Sequence, residues 1–193
     1  MCLALAVLVF LLYSIFSRGF SAFQKTTILL EINYDQEVLK LTPDSTDQEI
    51  EKGKFFKVKK NALNNVFENL SKSDAKLIKK LFSTNIDKEI KNYYIDNPSV
   101  LNTTQKLWVT AHSNVDQMLK GNSIRDVPED RRKLNDIQLS FIDQLVEEDR
   151  IQKEFNNFFF TRADSRHPEI AGIAGSFMGS LLLSLIHISE PTR

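Results

Sequence analysis

His112, Ser113 and Asp116 bring an imidazole, a hydroxyl and a carboxylate within five positions of one another, and those are the groups of a nucleophile, its base and an orienting acid. So tight a local cluster seldom converges on one reacting atom, because the three side chains leave the end of a strand in different directions, and a solvated surface is the simpler reading. The other histidines, His167 and His187, are far along the chain with no H-x-x-x-H spacing, which leaves no histidine metal site. The acidic pairs Glu129-Asp130 and Glu147-Glu148 have basic neighbours and read as solvated charge rather than as general acid and base. Among six glycines there is neither a G-x-x-x-x-G-K-[ST] loop nor a G-x-G-x-x-G turn, so phosphate-cradling and dinucleotide chemistry fall together. No catalytic residue, cofactor or metal is expected.

Composition narrows the partners. Lys plus Arg equal Asp plus Glu at 25 each, which gives no polycationic surface for a nucleic acid backbone. The single cysteine, Cys2, permits neither an internal disulfide nor a cysteine-based zinc site. The 193 residues suffice for one domain with a real core, yet the apolar runs gather at the two ends, Leu3–Phe16 and Ile170–Ile186, with nearly all charge between them. The order is membrane, soluble, membrane.

The first run offers about fifteen apolar positions, short of the roughly twenty that cross a bilayer. Ser17-Arg18-Gly19 is a poor cleavage site and no positive charge precedes the run, so an anchor over residues 1–17, truncated at its start, is preferred to a signal peptide or a buried soluble helix. The second run opens at Pro168, which fits the first turn of a helix. Gly172, Gly175 and Gly179 follow at spacings of three and four, either to let another helix approach closely in lipid or because glycine is common in membrane helices. The last eleven residues, 183–193, resemble the in-frame translation of a transposon-type sequencing-library adapter and are set aside as a non-native tail, the natural chain continuing differently after Leu182.

Between the ends, Thr26–Tyr34 alternates Ile28, Leu30 and Ile32 as a strand. A helical stretch is expected from Asp47 to Leu70 on the stripe Phe55, Val58, Ala62, Val66 and Leu70. A helix over 74–83 capped by Ser71 or Ser73 has Lys72, Lys76, Lys79 and Lys80 as solvated surface, and another, Asp87–Asp96, stops before Pro98. Lys106–His112 is a strand, followed by a short helix capped by Ser113 or Asn114 and ended at Gly121. The charged connection 126–133 leads to an amphipathic helix, Asn135–Arg150, with Ile137, Phe141, Ile142, Leu145 and Val146 on its apolar face, and Glu154–Thr161 closes the region as a strand. The whole is an α+β fold, a small mixed sheet with several covering helices, in a domain over 18–167 between two transmembrane helices, the second beginning over 168–182. For an interaction surface the least bland residues are Asp126, Glu129, Asp130, Arg131, Arg132, Asp164 and Arg166, a solvated linker being the commoner explanation of such runs.

The run from Phe160 through Arg166-His-Pro-Glu-Ile-Ala-Gly to Leu182 resembles the start of the permease core in the PstA-type subunit of phosphate ABC transporters. Asp116–Gly121, Asp126–Leu134 and Phe141–Leu145 resemble the extra N-terminal domain of one branch of that family, and the likeness covers residues 3–182. It implies a bacterial inner-membrane, multi-pass permease subunit of an importer for inorganic phosphate, with the central domain extracytoplasmic. The implied partners are a second permease subunit, cytoplasmic ATPase subunits that hydrolyse the ATP, a periplasmic phosphate-binding protein and the lipid bilayer. The translocation helices and coupling loop lie beyond Leu182 in the family, so this stretch carries an accessory periplasmic module and no transport by itself. The alternative is a membrane-anchored extracytoplasmic sensory or ligand-binding module.

Overall fold

The computed structural model describes residues 2–66, 71–121, 125 and 127–189. Leu70 and Asp126, named above, lie outside the described residues. In chain order the helices are α1 (Cys2–Gly19), α2 (Gln36–Leu39), α3 (Asp47–Lys52), α4 (Phe55–Val66), α5 (Lys72–Ile78), α6 (Ile86–Asp96), α7 (Ser113–Leu119), α8 (Asp136–Glu147), α9 (Phe158–Thr161) and α10 (Ala174–Ser189). The strands are β1 (Gln24–Asn33), β2 (Thr104–Thr110) and β3 (Ile151–Phe155). They form an antiparallel sheet in the order β2-β1-β3, so the fold is α+β. Two compact units result, one of residues 26–152 and one of residues 1–25 with 153–193.

In the 26–152 unit, β1 pairs with β2 in the register Thr27 to Thr110 through Asn33 to Thr104. The alternation of β1 puts Ile28, Leu30 and Ile32 fully inside. Helices meet that apolar row through Phe55, Val58 and Ala62 of α4, Ile86, Ile90 and Tyr94 of α6, and Val115 of α7. Tyr34 lies at the end of β1 with its ring 6.2 Å from Tyr94, and its hydroxyl donates to the Ile90 carbonyl at 3.2 Å. That bond answers the need of a buried phenol for a partner, and burial first, then Tyr93 beside it, raises the Tyr34 pKa well above the ordinary range.

The elements differ from expectation where a local competitor won. The stretch from Asp47 divides at Gly53, where a Cβ would come within 2.7 Å of the Phe55 ring. Thr46 and Glu49 form a capping box on α3, and the Thr46 bonds, that from its backbone N–H foremost, hold the Glu49 carboxyl below the usual range. Helix α5 begins at Lys72 with Ser71 as its cap and gives way to a 3-10 turn at Lys79, instead of running from 74 to 83. His112, not Ser113 or Asn114, caps α7, since its Nδ1 accepts the Asn114 backbone N–H at 3.2 Å. Gly121, at φ +77°, follows that helix as expected.

Helix α8 starts from Asn135 in a capping box with Gln138, but its buried face is Gln138, Ile142 and Leu145. Ile137 and Val146 are exposed at 40% and 46%, so the expected stripe is rotated toward the Gln138 side. The reason is a polar side chain in an apolar place: Gln138 accepts from the Asn135 N–H and donates to the Leu77 carbonyl at 2.8 Å, which satisfies its amide inside.

In the other unit, β3 ends at Phe155 and Phe158–Thr161 turns into α9, where a continuous strand was expected. Pro168 opens a 3-10 turn, Pro168–Ile170, and the apolar helix begins six residues later at Ala174. The intervening backbone bonds to the α9 region instead, with Gly172 N–H to Ala163 O at 3.0 Å and Ile173 N–H to Phe159 O at 2.8 Å.

Candidate functional site

In the trio at 112–116, His112 and Asp116 are structural. Asp116 Oδ1 accepts from the Thr26 N–H at 3.0 Å and the Thr26 hydroxyl at 2.8 Å, and Oδ2 pairs with Lys120 at 2.6 Å. Both carboxylate oxygens are thus spent on holding the start of β1 to α7, while His112 caps the same helix through Nδ1. Glu89 of α6 repeats the device on the neighbouring strand, accepting the Thr110 N–H at 2.9 Å and its hydroxyl at 2.6 Å. Each clamp satisfies the backbone and side chain of a threonine that is 1% exposed. Among the described residues no group of three or more His, Cys, Asp or Glu side chains is placed to hold a metal ion.

The unit of residues 1–25 and 153–193 has a different character. Leu5–Phe23 is long and apolar enough to cross a membrane, and none of it is buried against protein. At 19 residues it is about 28 Å long, close to the roughly 30 Å of a bilayer's hydrocarbon core. Ala174–Ile186 is a second, shorter apolar helix whose large side chains are likewise exposed.

Between these helices in sequence lies an aromatic cluster. Phe23 stands edge-on to Phe159 at 5.3 Å and stacks on Phe160 at 5.7 Å, and Phe155 stacks on Phe160 at 5.8 Å. Two cations cover the Phe158 ring, Lys25 with its ammonium 4.3 Å from the centroid and Arg162 with its guanidinium carbon at 3.6 Å. Phe20 and Phe155 remain more than half exposed and Phe160 about half. Aromatic rings with flanking cations are the chemistry of a membrane–water boundary, where an apolar body and a polar head are both accommodated.

The three glycines separate. A Cβ on Gly172 would lie 2.3 Å from the carbonyl oxygens of both Phe158 and Arg162, so its smallness admits its own chain's backbone, outside any helix. Gly175 is within ordinary contact of Ala163, and Gly179 has nothing within 4 Å, leaving its face of α10 open.

The charged candidates are dispersed. Glu129, Asp130 and Arg131 sit exposed in a single 3-10 turn, whereas Arg132 is largely covered and pairs with Asp136. Asp164 and Arg166 are exposed, and Asp164 closes a local turn by accepting the Ser165 N–H at 2.9 Å. The aromatic cluster is legible as a phenylalanine run, but its composition alone predicts a strand. The two carboxylate clamps were not legible, since their partners lie 21 and 90 positions apart.

Residues 1–129 match a family model described as a domain of unknown function, DUF3333. Neither a curated protein nor a solved structure matches the chain.

Proposed function

We propose, for a chain that belongs to the DUF3333 family, a role as the accessory module of a membrane permease subunit in an ABC importer for inorganic phosphate. The observation that carries the membrane part is the unburied apolar helix Leu5–Phe23, which leads directly into β1, in one unit with the aromatic and cationic cluster at Phe158. The permease part is supported by the resemblance of residues 160–182, with that of Asp116–Gly121 and Phe141–Leu145, to the PstA type.

On this reading the chain is part of a multi-pass protein of the bacterial inner membrane. Helix α1 is an anchor, the 26–152 unit is extracytoplasmic, and residues 168–182, with the first part of α10, begin the permease core. The 26–152 unit does no chemistry. Its task is to offer a rigid surface, stiffened by the Glu89 and Asp116 clamps, to the periplasmic phosphate-binding protein or the second permease subunit. ATP hydrolysis belongs to separate cytoplasmic subunits.

The test is to purify the full-length gene product from membranes with and without residues 25–163. Loss of the binding protein or of the second permease subunit from the deleted preparation is the expected result. Unchanged assembly and unchanged phosphate uptake would overturn the role.

A second reading, a membrane-anchored ligand-binding or sensory module, is favoured by one observation, a cavity of about 540 Å³ in the 26–152 unit lined by residues of α5, α8 and the start of α7. A signalling region after the second apolar helix would decide for it.

A further inference from the structure

The cavity in the 26–152 unit has a one-sided chemistry. Its lining holds Lys79, Lys80, Lys133 and His112 and no carboxylate, in a chain whose total charge is balanced. Its apolar part is set by Phe82 and Leu134, both buried side chains of the core. Lys79 donates to Asn64 at 2.9 Å, whereas among the described residues neither Lys80 nor Lys133 forms an ion pair.

His112 adds direction. Because Nδ1 accepts the Asn114 N–H, the neutral ring must carry its proton on Nε2, and no described protein group accepts from that atom. A fixed N–H donor, two ammonium groups lacking a carboxylate and an apolar floor together describe a site for a negatively charged head on an apolar body. The volume is within the range of small-molecule pockets.

We propose that this cavity binds a small organic carboxylate. The carboxylate is held by Lys80 and Lys133 and oriented by the His112 Nε2–H, with its apolar body against Phe82 and Leu134. The site rests on the fold of residues 26–152 and not on the membrane or phosphate reading. Inorganic phosphate, which lacks an apolar body, is a poor fit.

The test uses the full chain in lipid nanodiscs with ring-labelled histidine, followed by heteronuclear NMR during titration with benzoate. The His112 ring signals should move saturably, with Kd roughly 1 mM or tighter. In the double variant Lys80→Gln, Lys133→Gln, two surface changes that leave the core intact, affinity should fall about tenfold or more. Benzyl alcohol, which keeps the ring and removes the charge, should leave the His112 signals in place. Absence of a shift, an equal response to benzyl alcohol, full affinity in the double variant, or inorganic phosphate binding as tightly as benzoate would each overturn the proposal.

Discussion

Replacing Glu89 by alanine removes the clamp on β2 without touching an apolar contact of the core. The Thr110 N–H and hydroxyl, bonded at 2.9 and 2.6 Å to the two carboxylate oxygens, would be left without acceptors on a residue that is 1% exposed. An orphaned buried polar group costs about 1–3 kcal/mol, so the pair amounts to about 3 kcal/mol. Glu89 also lies in the first turn of α6, where its charge favours the helix dipole by about 0.3–1 kcal/mol. Asp87→Ala provides the control, since it removes a charge from the same turn and a half-exposed pair to Lys59 at 3.0 Å, for a loss of about 1 kcal/mol or less. Urea unfolding of the full chain in detergent, followed by the fluorescence of the sole tryptophan, Trp108 in β2, measures both. With a urea dependence of about 1–3 kcal/mol per molar, the Glu89→Ala midpoint should fall by about 1–3 M. The double variant with Thr110→Val should be milder than the sum of the single changes by about 1 kcal/mol, the worth of the hydroxyl–carboxylate bond. A Glu89→Ala loss no larger than that of Asp87→Ala, or strict additivity with Thr110→Val, would refute the clamp as a stabilising device.

The companion clamp gives a parallel expectation: Asp116→Ala should cost about 3–4 kcal/mol through the two Thr26 bonds and the Lys120 pair, read as a lower unfolding midpoint and faster amide exchange at the start of β1. Gly172→Ala places a methyl group against the Phe158 and Arg162 carbonyls and should cost about 1–3 kcal/mol, seen as new proteolytic cleavage near α9, while Gly179→Ala should leave the cleavage pattern unchanged. Tyr34 has its pKa raised by burial, so its contribution to stability is complete below the ordinary tyrosine value of about 10 and is lost as pH climbs above it. Alkaline unfolding monitored by tyrosinate absorbance should therefore be shallower in Tyr34→Phe than in the parent chain.

The elements whose signals are local were legible in the sequence. The alternation at Ile28, Leu30 and Ile32 fixes the buried face of β1, and Asn97-Pro98 ends α6 where the restricted residue before proline requires. What was not legible depends on groups brought together from far along the chain. Phe158–Phe160 are as suited to a strand as any residues, yet they turn into α9, where the backbone N–H groups of Gly172, Ile173 and Ala174 come back to donate to the carbonyls of Ala163, Phe159 and Arg162. Counting apolar residues put Ile137 and Val146 on the inner face of α8, and the amide of Gln138, satisfied by Asn135 and Leu77, displaced them. For the candidate sites the contrast is sharper. His112 and Asp116, which the sequence presents as solvated surface, are occupied as a cap and a clamp, and the cavity beside His112 joins Lys80 and Lys133, 53 positions apart, which the sequence presents as ordinary solvated charge.

We propose that this chain belongs to a phosphate importer and lies in the membrane that importer serves. Labelled inorganic phosphate uptake should be measured in cells whose only phosphate permease subunit of this type is the full-length gene product, with its presence in the membrane fraction checked in parallel. Saturable, ATP-dependent uptake above that of cells lacking the gene is the predicted result. A membrane-inserted protein that leaves uptake at the level of those cells would contradict the account.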